Sequence, residues 1–195
     1  MSDKNEKMRP EVIVFAGPNG SGKTTITRMA RTVGAYINAD EIKRSILCSD
    51  LEAAQKAEEL RERAIEQRSN FTFETVMSTR RNIILLQKAQ AAGYFLRCIY
   101  VLTKNPDINV ARVQARAESG GHDVPEIKIR MRYARALALI PELISLCDVF
   151  HLYDNTETPF RIFKKRKENF YFWENDFWRL REIEELTGIS AQQQA

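Results

Sequence analysis

Cysteine is scarce in this chain, and its three copies, Cys48, Cys98 and Cys147, are far apart, odd in number and free of any C-x-x-C pairing. That excludes a disulfide framework or a zinc knuckle as the organising device and fits a reducing, cytoplasmic setting. Histidine is scarcer still. His122 and His151 stand alone, so no metal other than Mg²⁺ is expected. Long apolar runs are missing as well: residues 134–147 form the longest apolar-rich stretch, and Arg135, Pro141 and Glu142 interrupt it, leaving it too short and too polar to span a bilayer. Residues 1–10 are mostly polar and charged, with no apolar h-region, so no secretory signal is expected. Nor does one sign of charge dominate, since 30 Lys and Arg against 26 Asp and Glu leave a formal charge of +4. This mild excess suits nucleotides and phosphates without arguing for DNA or RNA. Neither a nucleic acid nor a membrane is expected as a partner.

What is present is the composition of an ordinary globular domain, with 44% hydrophobic residues in 195. One domain over residues 1–195 is expected, with residues 1–10 and 190–195 as flexible tails. Residues 12–16 (VIVFA) read as a buried strand. A loop over 17–22 and a helix over 23–32 follow. The spacing then predicts a short strand over 36–39, helices over 41–47 and 51–67, a strand over 71–75, a helix over 81–92 closed by Gly93, and a strand over 94–102. Further on come a helix over 106–118, a loop over 119–125, a helix over 126–146 kinked near Pro141, and a strand over 149–153. One or two terminal strands over 160–173 and a helix over 177–186 complete the chain. Strands alternating with helices predict an α/β fold: a mostly parallel sheet of about five strands flanked by helices, with a helical lid.

Gly17-Pro18-Asn19-Gly20-Ser21-Gly22-Lys23-Thr24 fits G-x-x-x-x-G-K-[ST], the P-loop. A chance match in a chain of this length has odds of about one per cent from average composition. The predicted context, strand before and helix after, is the one the motif requires. Glycines let the backbone curl so that its N–H groups face phosphates, and the helix N-terminus adds partial positive charge. Residues from Gly17 to Thr25 are therefore expected to bind ATP, with Lys23 on the β and γ phosphates and the Thr24 hydroxyl on Mg²⁺. No apolar strand ending in Asp marks a Walker B element. Glu118-Ser119-Gly120-Gly121-His122 lacks the flanks of a transporter signature, and no guanine-reading N-K-x-D occurs. These absences favour a small-molecule kinase over a motor or a GTPase.

Asp40 falls where the second strand should end, beside the expected γ-phosphate position. It can serve as the base for an attacking hydroxyl, as the N-cap of the next helix, or as both through different oxygens. Glu74 closes the third strand and can hold substrate hydroxyls, or be a surface carboxylate. Arg112 and Arg116 share one helix face before Gly120-Gly121, with Arg130, Arg132 and Arg135 beyond. The set reads either as a phosphate-clamping lid or as a solvated basic face. The aromatics Phe170, Tyr171, Phe172, Trp173, Phe177 and Trp178 read as core or edge packing, or as a partner patch.

Taken together, GPNGSGKTT from Gly17, Asn38-Ala39-Asp40, Phe73-Glu74-Thr75, RVQARAESGGHDVP from Arg112 and Tyr153-Asp154-Asn155 occur in an order that resembles the zeta-toxin family. The resemblance implies a P-loop kinase that moves the ATP γ-phosphate to the 3′ hydroxyl of a UDP-N-acetyl sugar, as the toxin of a pair with a small antitoxin protein. It implies Lys23 on the phosphates, Asp40 as base, Glu74 on the sugar nucleotide, and Arg112 and Arg116 as lid arginines. Thr75, Thr79 and Arg80 match the family's remaining acceptor-binding residues. A housekeeping nucleoside or small-metabolite kinase, and a non-catalytic ATP-binding module, are the alternatives.

Overall fold

In the computed structural model, which describes residues 9–121 and 123–193, five parallel strands are extended by an antiparallel hairpin. The parallel strands are β1 (Glu11–Ala16), β2 (Ala35–Ile37), β3 (Phe71–Thr75), β4 (Phe95–Leu102) and β5 (Val149–Asp154). The hairpin is β6 (Phe160–Arg166) and β7 (Asn169–Phe172), turned at Lys167 with a positive φ. Sheet order is β2-β3-β1-β4-β5-β6-β7. The sheet therefore has seven strands where about five were expected, because the C-terminal hairpin pairs directly onto β5 and continues the same sheet.

The helices are α1 (Lys23–Met29), α2 (Ala39–Ile46), α3 (Asp50–Glu66), α4 (Arg81–Ala91), α5 (Pro106–Glu118), α6 (Glu126–Ala138), α7 (Ile140–Leu146) and α8 (Leu180–Thr187). Each is set by local chemistry. A Ser49–Glu52 capping box opens α3, and the Asn105 side chain accepts from the Asp107 and Ile108 amides ahead of α5. The helix expected over 23–32 is shorter, because Ala30 turns extended and the chain must bend past Gly34 toward β2. In place of one kinked helix over 126–146 there are two, divided at Leu139, with Pro141 in the first turn of α7, where its missing N–H costs little. The last helix starts three residues later than expected. The Asn175 side chain accepts from the amides of Phe177 and Trp178 and holds them in a turn.

Alternation along β1 divides the interior. Val12, Val14 and Ala16 join the large core packed against α3, α4, α7 and α8, while Ile13 and Phe15 face a small cluster under α1. Phe170, Phe172 and Phe177 pack against the large core and Trp178 is buried in it, whereas Tyr171 is exposed on the other side. A third cluster, Val110, Val113, Val124 and Ile129, joins α5 to α6. Arg9 donates to the Gly93 and Tyr94 carbonyls, and Ala191 N donates to Glu184, so both ends of the described chain are tied to the body. Residues 1–8, 194 and 195, and His122 with the loop position expected for it, lie outside the described residues. Among the described residues, no helix is long and apolar enough to cross a membrane.

Candidate active site

The five parallel strands deliver their carboxyl ends to one edge of the sheet, where ligands bind in open α/β folds. The P-loop leaves β1, Asn38 and Asp40 follow β2, Glu74 lies on β3, Thr103 follows β4, and Asn155 follows β5. Side chains from the later strands and helices grip the P-loop backbone. Asn109, buried on α5, donates to the Asn19 carbonyl at 2.5 Å and accepts from the Thr103 hydroxyl. Asn155 donates to the Ser21 carbonyl at 2.8 Å. Gly22 needs its left-handed φ of 89° for this approach, and a Cβ there would run into the Asn155 amide. Gly20 is equally confined, since its Cβ would lie 2.5 Å from the Asn109 carbonyl oxygen.

Lys23 opens α1 and folds its ammonium back onto the Gly17 and Pro18 carbonyls at 2.7 and 3.0 Å. Burial lowers its pKa to about 8, against the opposing pull of Glu74 and Asp40, and Arg116 pushes it down further. Lys23, Glu74, Asp40 and Arg116 thus form one electrostatic cluster drawn from four separate segments. The Ser21 hydroxyl inside the loop is buried with no hydrogen-bond partner among the described residues. An orphaned donor in a curled glycine loop at a helix N-terminus is what a phosphate oxygen satisfies, so the residues present fit a nucleotide triphosphate.

A cleft of about 270 Å³ opens beside the loop, lined by Thr24, Arg28, Tyr36, Asp40, Arg44 and Glu74 among others. Asn38 organises it. Its Oδ1 accepts from the Asp40 amide at 2.8 Å and so caps α2, while its Nδ2 reaches Tyr36 and Glu74. The capping role left open for Asp40 therefore belongs to Asn38, and the Asp40 carboxylate sits exposed in the first turn of α2. Glu74 accepts from the Thr27 hydroxyl at 2.7 Å, so the strand-end carboxylate is held within the cleft instead of lying loose on the surface. Burial pushes the Tyr36 phenol well above its ordinary value, keeping it a neutral donor beside Glu74. Thr24, exposed at the start of α1 and lining the same cleft, is the hydroxyl that fits Mg²⁺.

A sequence model of a protein family, Zeta toxin, matches residues 1–157. The chain belongs to the zeta-toxin family. Among relatives, an uncharacterized protein of Haemophilus influenzae (strain ATCC 51907 / DSM 11121 / KW20 / Rd) is 32% identical over 132 residues, which is 65% of this chain and 94% of that protein. The AvrRxo1-ORF1:AvrRxo1-ORF2 structure with sulphate ions has a chain that superposes with a TM-score of 0.70 at 15% identity, covering 93% of this chain and 65% of that one. The same complex with ATP gives 0.70 at 14% identity, over 97% and 66%. The PezAT chromosomal toxin–antitoxin system of Streptococcus pneumoniae gives 0.58 at 18%, over 80% and 72%. This chain spans just under two thirds of the AvrRxo1-complex chains, and identities this low show a shared fold.

The zeta-toxin motifs find distinct physical places. Asp154 is buried and accepts from Thr156 and Asn175, which shapes the turn that aims Asn155 at the P-loop. Arg112 donates to the Asn155 and Thr156 carbonyls at 2.8 and 2.9 Å and so braces that turn, while Arg116, one helical turn on, lies within electrostatic reach of Lys23. On α6, Arg132 reaches the Asn19 side chain at 3.4 Å, and Arg130 pairs with Asp107 and Glu126. Thr75 accepts from Asn82 and from the Met77 amide, and Arg80 forms a two-pronged pair with Glu142 on α7. The cleft lining does not include Thr75, Thr79 or Arg80. Asn38, Asn109 and Tyr36 drew no functional expectation from the sequence. For Asn38 the available signal was its place before Ala39-Asp40, the pattern of a cap; for Asn109 there was none, since its partner is 90 residues away.

Proposed function

We propose that this chain is an ATP-dependent kinase that transfers the γ-phosphate to a sugar hydroxyl, that of a UDP-N-acetyl sugar, and acts as the toxin of a pair with a small antitoxin protein. Family membership supports the toxin role, as does the fold shared with the PezAT toxin–antitoxin structure. The observation that carries the chemistry is the convergence of Lys23, Asp40, Glu74 and Arg116 at the mouth of the P-loop. ATP supplies the phosphoryl group. The protein's part is to hold the phosphates on the P-loop amides and Lys23, with Thr24 and the nucleotide holding Mg²⁺. Asp40, freed from capping by Asn38, takes the proton of the acceptor hydroxyl on its outward oxygen. Glu74, fixed by Thr27 and Asn38, orients that hydroxyl. Arg116, with Arg132 nearby, meets the charge that develops on the transferring group, and Arg112 positions the wall behind them. Arg28 and Arg44 at the rim suit a phosphorylated acceptor.

The test is incubation of the protein with ATP, Mg²⁺ and a panel of UDP-sugars, read by mass spectrometry, for wild type and Asp40→Asn. A phosphorylated sugar nucleotide is expected from wild type. The variant is expected to bind ATP normally and lose about 10²–10⁴ in rate. Unchanged turnover in Asp40→Asn would remove the base from this scheme. One observation favours a second reading, a kinase of a smaller metabolite: the cleft is about 270 Å³ and excludes Thr79 and Arg80. Including nucleosides and simple sugars in the panel decides between the two.

A further inference from the structure

The sheet face under α1 is left open beyond that short helix. The buried residues of its apolar cluster are Ile13, Phe15, Ile26 and Val101, with Ala30, Val33, Ile99 and Tyr153 packed against them. Farther out the side chains change character. The register sets Ile99, His151, Lys164 and Tyr171 side by side across β4, β5, β6 and β7. A register shift between Leu152 and Tyr153 pairs Tyr153 with Arg161, so that Arg161 and Lys164, three apart on β6, both reach this face. The Arg161 guanidinium comes within 3.5 Å of His151 Nδ1.

Rings and cations alternate there. His151 stacks on Tyr153 with planes 10° apart, and Tyr171 on Trp173 with planes 16° apart. Arg161 lies 4.7 Å from the Trp173 centroid and Lys164 lies 5.4 Å from that of Tyr171. Burial, helped by Arg161, Lys164 and Arg97, lowers the His151 pKa to about 4, so the ring is neutral at pH 7 and stacks without adding charge. Arg161 Nε is buried and has no hydrogen-bond partner among the described residues. Adjoining this row is a cavity of about 350 Å³ whose lining combines Ile13, Ile26 and Ile99 with Arg31, Arg97 and His151. The carboxylate in its lining, Glu11, is already paired with Arg97 at 2.9 Å.

We propose that this face binds single-stranded RNA, one base entering the cavity and the phosphates meeting Arg97, Arg161 and Lys164. Apolar depth beside fixed cations suits a planar ring carrying phosphate, and the volume falls in the range of roughly 300–1,000 Å³ usual for such sites. Flat ring pairs on a sheet surface are stacking platforms, and flanking cations follow the backbone. An acidic peptide would satisfy the cations but leave the cavity and the ring faces unused. The hydroxyls of Tyr153 and Tyr171 and the neutral imidazole are groups that can read a 2′-hydroxyl, which favours RNA over DNA. The whole-chain charge of +4 gave no hint of this, because a net charge does not report which cations share a face.

The experiment is fluorescence anisotropy of the full chain with a labelled dodecamer of oligouridylate or oligoadenylate. Binding is expected to weaken with salt, with a log–log slope of about −0.7 per phosphate engaged. Lys164→Glu combined with Tyr171→Ala is expected to weaken it by about tenfold or more, with ATP affinity and melting temperature unchanged. If that pair lowers the melting temperature, Lys164→Gln is the milder variant and is expected to lose several-fold. Lys23→Ala is expected to bind RNA as wild type does, which separates this face from the kinase reading. The proposal is overturned by no binding at low salt, by wild-type affinity in the Lys164 variants, or by loss of binding in Lys23→Ala. It is equally overturned if matched DNA binds as tightly, or if polyglutamate displaces the RNA at equal charge.

Discussion

Around the P-loop, main-chain carbonyls are held by buried side chains from α5 and from the segment after β5, and three glycines are confined, Gly17 and Gly20 by backbone and Gly22 by the Asn155 side-chain amide. On the opposite bank of the cleft, α2 has no buried residue, ends in Leu47 with a left-handed φ of 52°, and leaves Leu47 91% exposed. One side is rigid by construction and the other is lightly attached. Binding a triphosphate and holding it in line requires fixed donors, whereas an acceptor must enter and leave. On the proposed kinase reading, the braced bank fixes the phosphates and acceptor choice falls to α2, which has no buried residue of its own.

Lys23→Ala tests the rigid side most severely. Phosphoryl transfer is expected to fall by about 10²-fold or more in a steady-state assay, because a transition-state phosphate contact is lost. Stability is expected to hold or rise in a melting experiment, since burial disfavours the Lys23 charge that the variant removes. The same lysine sets a pH dependence. With a pKa near 8 it is charged below that pH and neutral above it, and phosphates bind the charged form. ATP affinity measured by calorimetry is expected to be highest below pH 8 and to fall above it, by at most about tenfold per unit. A flat profile from pH 7 to 9.5 would contradict the assignment.

Next in size, Asn155→Ala leaves the Ser21 carbonyl without its donor and should cost about 1–3 kcal/mol in denaturant unfolding. Arg112→Ala and Arg116→Ala sharpen the comparison within one helix. Arg112→Ala is expected to lower the melting temperature, because two carbonyls lose their donor. Arg116→Ala is expected to reduce kcat by about 10³-fold or more. Equal effects of the two on kcat, with no change in melting, would erase the distinction between brace and clamp. The smallest effect belongs to the loose side: Leu47→Gly relieves a left-handed backbone and is expected to stabilise by no more than about 1 kcal/mol, with ATP binding unchanged.

Local signals carried much of this architecture. The P-loop, the buried strands and the Gly93 helix end depend on near neighbours, so they can be read from the order of residues. The hairpin of β6 and β7 was legible as strands, but its joining of the main sheet was not, since pairing partners are a tertiary outcome. The same limit applies to the site. Glu74 and Asp40 were visible because strand ends are visible, while the grip of Asn109 on the P-loop spans 90 residues of sequence. Arg112 and Arg116 were indistinguishable on the i, i+4 pattern, and only the place of Asn155 beside the first separates them. Arg80 was assigned to the acceptor region by the family resemblance, and its ion pair with Glu142 carries its side chain to α7.

The collar around the P-loop also has a consequence in time. Its first member, Gly17, and its last, Asn155, are separated by most of the chain, and Asn155 N closes the register by donating to the Leu102 carbonyl. A growing polypeptide emerges N-terminus first. The glycine loop therefore leaves the ribosome long before the amide that pins it, and a nascent chain halted anywhere before β5 holds every residue of the nucleotide motif without the brace that gives the motif its shape. For a member of the zeta-toxin family this delays assembly of the phosphate site until β5 and Asn155 have been made.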